Sequence, residues 1–169
     1  MLTRMTAALR LSPEVFGEVK FDPTATRQAV IIVVMAATSI GFGVGPGFGI
    51  PLGFVLWWTS TWVVWVFVLY LLAPSFSRVT EAENSWGLYA RSTGFAQVPL
   101  IFLVVLSFVP DTAPNLRLIL FAVVSIWWLA AMSLAVRQAL GLASGLVSVL
   151  LAATFLIPAM VIELVASGA

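Results

Sequence analysis

Few side chains in this sequence could do chemistry, and their types narrow what that chemistry is. There is no histidine and no cysteine, which removes the commonest general base, the usual haem and transition-metal ligand, and every thiolate nucleophile or disulfide. Serine and aspartate remain, but no nucleophile has a base near it in the sequence, so no enzyme is expected. The polar residues that stand out are Asp22, Arg91 and Arg137, with Gln97 and Gln138 beside them. A bidentate pair between arginine and aspartate, shielded by helices, would tie several segments together, and the two glutamines could bond nearby carbonyls. The same group could instead form a patch that docks a partner. Trp58, Trp62 and Trp65 fall on one stripe at helical spacing. Such a stripe serves helix packing, or could stack a pigment or quinone. No cofactor and no metal is implied, and Glu163 is the one acid inside an apolar run, close to the C-terminus and expected at an interface.

The elements that must position these residues are membrane spans. Hydrophobic residues make up 62% of the chain and charged ones 9%, with a mean hydropathy of +1.11, whereas about a quarter of an ordinary soluble domain is charged. A length of 169 residues holds about five helices of about 20 residues and little else. The sequence therefore predicts an all-α integral membrane bundle of five spans (residues 23–169), preceded by a short cytoplasmic segment (residues 1–22). A net charge of +1 gives no reason to expect nucleic acid. Lipid, other integral membrane proteins or further copies of the chain are the expected partners.

Ser12, Pro13 and Glu14 form a helix start, and Val15, Phe16 and Val19 would share the apolar face of a short amphipathic helix at the membrane surface. Asp22 and Pro23 repeat the signal and open span one, expected to run to about Ile40. The segment from Gly41 to Gly53, rich in glycine and holding Pro46 and Pro51, reads as a tight hairpin, because the uncharged stretch 28–77 is too long for one span. Span two is expected over about Leu52 to Ala73, followed by a loop from Pro74 to Ser92. Span three is expected from about Thr93 to Val109, kinked at Pro99. Span four should cover about Leu116 to Val136, and span five about Gly145 to Val165, with Pro158 inside. The long charged stretch before the first apolar run is unlike a secretory signal, so that run is expected to be retained as a span.

Seven of the eight basic residues, Arg4, Arg10, Lys20, Arg27, Arg78, Arg91 and Arg137, then lie on one side, and Arg117 on the other. Basic residues are retained on the cytoplasmic face. This predicts an inner-membrane protein with its N-terminus in the cytoplasm and its C-terminus outside.

Three runs resemble a known family. Residues 15–29 (Val15-Phe16-Gly17-Glu18-Val19-Lys20-Phe21-Asp22-Pro23 and onward to Ala29) resemble the lead into span one of bacterial Yip1-domain proteins. Residues 91–99, with Arg91, Gly94, Gln97 and Pro99, resemble that family's motif at span three. The run from Trp127 through Arg137 and Gln138 to Leu140 resembles its fourth-span end. The resemblance implies a five-span protein with a cytoplasmic N-terminus, related to eukaryotic members that bind prenylated small GTPases in vesicle traffic. Those members carry a longer N-terminal region with an Asp-Leu-Tyr-Gly-Pro motif, where this chain has Asp22-Pro23. The expected role is non-enzymatic: binding, scaffolding or assembling other membrane proteins, with an accessory subunit of a larger complex as one form. The alternative is a small transporter or channel, motivated by the prolines within spans three and five and the glycine-rich turn.

Overall fold

The computed structural model describes residues 1–44, 52–76, 84–142 and 145–154, and all regular structure among them is helical. The elements are α1 (Leu2–Leu9), α2 (Pro13–Val19), α3 (Ala25–Val44), α4 (Leu52–Phe76), α5 (Trp86–Phe95), a 3-10 helix (Val98–Phe108), α6 (Pro114–Leu140) and α7 (Gly145–Ala153). Four stretches are long and apolar enough to cross a membrane: Ala25–Gly43, Leu52–Ser75, Trp86–Phe108 and Pro114–Leu140. The start expected for a fifth span is seen as α7. Its continuation, with Pro158 and Glu163, lies outside the described residues, as do residues 45–51 of the expected hairpin and Arg78, Glu81 and Glu83 of the expected loop.

The N-terminal segment holds two helices where the sequence suggests one. α2 begins at Pro13 as expected, but the Ser12 hydroxyl makes no capping bond and donates instead to the Glu14 carboxylate. α1 precedes it, with Met5, Ala8 and Leu9 turned toward the bundle at helical spacing. Leu11 joins the two with a φ of 55°.

α3 starts behind Asp22, whose carboxylate accepts from the Thr24 backbone N–H at 2.9 Å and the Thr24 hydroxyl at 2.7 Å. It continues past Ile40 through Gly41 and Gly43, so the helix takes in glycines that the sequence suggests are turn. The reason is packing. A Cβ on Gly43 would collide with the Leu103 carbonyl oxygen, so only glycine lets α3 approach the 3-10 helix this closely. Gly94 does the same for α5, where an added Cβ would sit 2.6 Å from the Cβ of Ala29.

Span three departs most from expectation. It begins at Trp86, where the Ser85 hydroxyl accepts from the Leu88 N–H at 3.3 Å, so Arg91 lies inside the span rather than before it. The kink expected at Pro99 is a change of helix type: α5 ends at Phe95 and the chain resumes as a 3-10 helix at Val98. Pro99 has no N–H to donate and its ring crowds the carbonyl four residues back, so the α-helical ladder cannot pass through it. α6 runs beyond Val136 to Leu140 and stops at Gly141, whose φ of 63° is the left-handed conformation glycine adopts readily. The N–H groups of Gly141 and Leu142 both return to the Arg137 carbonyl, a Schellman-type ending.

Candidate functional site

The polar residues gather at the end of the bundle where α2 finishes, α3 begins and α6 ends. Arg91 reaches from α5 to the chain between α2 and α3. Its Nε and Nη2 donate to the Lys20 carbonyl at 3.0 and 2.5 Å, and its Nη1 donates to the Thr26 hydroxyl at 3.3 Å. Lys20 in turn donates through Nζ to the Gln138 carbonyl on α6 at 2.8 Å. The Ser92 hydroxyl donates to the Phe16 carbonyl at 3.4 Å. One arginine and one lysine thus link α2, α3, α5 and α6 through two backbone carbonyls left free at helix ends and the Thr26 hydroxyl.

Asp22 does not pair with Arg91 or Arg137. Its partner is Arg4 of α1, with Nη2 at 2.8 Å from Oδ2, and Arg4 also holds Glu18 at 2.7 Å. The Thr24 hydroxyl and then Arg4 hold the Asp22 carboxyl below its ordinary range. Arg137 donates to the Leu142 carbonyl at 3.4 Å and so serves the end of its own helix. The expected triad of Asp22, Arg91 and Arg137 is therefore replaced by two neighbouring groups, one ionic at α1–α2 and one built on carbonyls around Arg91. Gln138 enters through its backbone, and its side-chain Oε1 lies beside Gly17. Pro23 sits exposed ahead of α3. Arg4, Lys20, Thr26 and Ser92 carry much of the arrangement, although no motif in the sequence marks them as a set. The spacing of Glu18 and Asp22, one helical turn apart, is the readable sign that a basic residue would be drawn to them.

Gln97 is fully buried at the start of the 3-10 helix, and neither its Oε1 nor its Nε2 has a hydrogen-bond partner among the described residues. Gly94 and Pro99, the other residues of that motif, set the close approach to Ala29 and the change of helix type.

The tryptophan stripe turns inward. Trp58, Trp62 and Trp65 are 7%, 1% and 4% exposed. Trp62 Nε1 donates to the Thr93 hydroxyl at 3.2 Å, which donates onward to the Tyr89 carbonyl at 2.7 Å. Trp65 Nε1 donates to the Thr154 hydroxyl at 3.0 Å. Trp58 lies 6.4 Å from Trp128, and Trp62 meets Trp86 edge-on at 6.2 Å. These indoles fasten α4 to α5, to α6 and to the residue that follows α7, using both the ring faces and the N–H. At the opposite end of the bundle, Arg117 pairs with Asp111 at 2.8 Å and donates to the Gly43 carbonyl at 3.3 Å.

Helices of this length and hydropathy, held by inward indoles and arginine-capped carbonyls, define a multi-pass helical membrane protein. The chain matches no protein-family model, and neither the curated proteins nor the solved structures compared with it include a match.

Proposed function

We propose that this is a non-enzymatic integral membrane protein of the Yip1 type that binds other membrane proteins and scaffolds their assembly, as an accessory subunit of a larger membrane complex. In this reading α7 opens a fifth span, and the N-terminal segment is an amphipathic element on the cytoplasmic side of the inner membrane, with the C-terminus outside. One observation carries the binding role. Of the four described spans α4 has the least internal cover, 28% of its apolar stretch being buried against 61% for span three. Its inner stripe of indoles anchors it, while Leu56, Val63, Val64, Phe67, Val68 and Leu71 face outward along its length. A flank held by that stripe, apolar along its length except at Ser60, suits packing against a neighbouring span, where van der Waals fit drives association.

The test is gentle solubilisation of native membranes, purification through an N-terminal tag, and mass spectrometry with an absorbance spectrum. A stoichiometric partner that is lost when Val64 and Phe67 are replaced by alanine supports the reading. Recovery of a colourless free monomer, unchanged by those substitutions, overturns it. A second reading, a small carrier or channel, is favoured by the break in span three, where Gln97 has no hydrogen-bond partner among the described residues. Liposomes holding the purified chain that pass neither ions nor small neutral solutes remove it.

A further inference from the structure

The helices α1 and α2 are not arranged as a layer lying on the end of the bundle. At their open end Arg4 bridges Glu18 and Asp22, and Lys20 reaches Gln138, so this end is level with the last turn of α6. At the joined end the Leu9 carbonyl accepts from Trp127 Nε1 at 3.0 Å. Between Trp127 and Arg137, α6 rises roughly 15 Å at about 1.5 Å per residue. Trp127 also stacks on Phe102 of the 3-10 helix, with ring centroids 5.7 Å apart.

The neighbours of Trp127 fix what surrounds it. Ile126, the residue before it, is 70% exposed and Phe102 is 44% exposed, on two stretches each long enough to span a bilayer. Apolar surface at that level on membrane-spanning stretches faces lipid tails, since leaving it in water is unfavourable. The segment that touches Trp127 therefore lies at the same level. Leu2 and Phe21, both largely exposed, stand at the open end beside the ion pairs, a mixture that suits the headgroup layer.

We infer that α1 and α2 form a re-entrant hairpin that dips into a single leaflet, the one nearest the start of α3, with its turn at residues 10–13 below the headgroups and the lipid of that leaflet as the partner of its outer face. Arg10 in the turn and Glu14 at the start of α2 are both exposed, and charge in hydrocarbon is costly. That cost limits the depth: Arg10 extends its side chain back toward the headgroups, and the leaflet thins around the turn. The hairpin adds cross-section to one leaflet and none to the other.

The chain has no cysteine, so single nitroxide labels test this directly. Ser12→Cys marks the turn, and Thr3→Cys and Thr24→Cys mark the open end. Each labelled full chain is placed in vesicles of phosphatidylethanolamine and phosphatidylglycerol, and collision with oxygen is compared with collision with a water-soluble nickel chelate. The expected result is a turn label favouring oxygen and shielded from nickel, with both open-end labels favouring nickel. Arg10→Cys is a second turn probe that leaves the Ser12–Glu14 bond intact. Equal nickel access at position 12 and position 24 overturns the inference, as does equal intermediate depth at positions 3 and 12, which would mean that the hairpin lies flat.

Discussion

Replacing Gly94 by alanine should destabilise the bundle, although alanine is the better helix former. A Cβ at this position would lie 2.6 Å from the Cβ of Ala29, 3.2 Å from its Cα and 3.3 Å from its carbonyl oxygen, where ordinary contact begins near 3.4 Å. Overpacking of this kind costs about 1–3 kcal/mol, and the gain in helix propensity returns about 1 kcal/mol, so a net loss of about 0–2 kcal/mol is expected. The sharper test is the exchange. Ala29→Gly alone costs about 1 kcal/mol of propensity. Combined with Gly94→Ala it removes the atom that clashes and restores the balance of one alanine and one glycine, so the double variant should approach the original chain. Unfolding by denaturant in detergent, followed through the native tryptophans, gives the four corners of the cycle. A coupling of about 1–3 kcal/mol in favour of the double variant is expected, well outside the roughly 0.3–0.5 kcal/mol error of additivity. Additive effects across the cycle, with no coupling in favour of the double variant, would refute close packing of α3 on α5.

The same measurement ranks the other glycines: Gly43→Ala, whose Cβ would strike the Leu103 backbone, should cost more than Gly94→Ala, whereas Gly53→Ala, with open space around it, should gain up to about 1 kcal/mol. Thr93→Val leaves the Trp62 indole N–H without its acceptor and should cost about 1–3 kcal/mol, with a shift in tryptophan emission. Gln97→Leu removes an unpartnered buried amide, so stability should hold or rise by about 1 kcal/mol; a loss of that size would mean the amide has a partner outside the described residues. The Asp22 carboxyl is held below its ordinary range, so its contribution is complete above the unfolded value, about 3.9, and is lost as pH falls through the folded one. Acidification below about pH 4, or Asp22→Asn at neutral pH, should therefore loosen α1 and speed protease cleavage near Arg10; cleavage that is independent of both would contradict the Arg4–Asp22 pair as the tether of α1.

The helical character and the placing of most spans are legible because apolar runs bounded by Pro, Asp and Gly leave little choice inside a bilayer. The start of span three is not. Trp86, Gly87 and Tyr89 form a weakly apolar stretch beside charges, and only the Ser85 cap and the burial of Leu88 and Tyr89 make it helix. α3 reads too short in the sequence because glycine ordinarily ends a helix, and that prior loses to a packing contact with residues far along the chain. In the polar cluster the residue types are readable but the pairing is not. An arginine at a span end is expected to seek a carboxylate, yet Arg91 finds the Lys20 carbonyl, because helix ends supply acceptors that no sequence pattern records. Arg4 escapes notice because nothing local marks it as a partner for a residue on another helix.

The two glycine contacts on α3 bear on how the protein is made. Gly43 and Ala29 meet Leu103 and Gly94, which lie beyond the whole of α4 in the chain. During synthesis α3 and α4 enter the bilayer while the helix that α3 fits most closely has yet to leave the ribosome. For that interval the small-residue face of α3 stands open to lipid or to whatever span is near. A bundle joined in this order leaves α3 and α4 waiting for the third span before their closest packing can form.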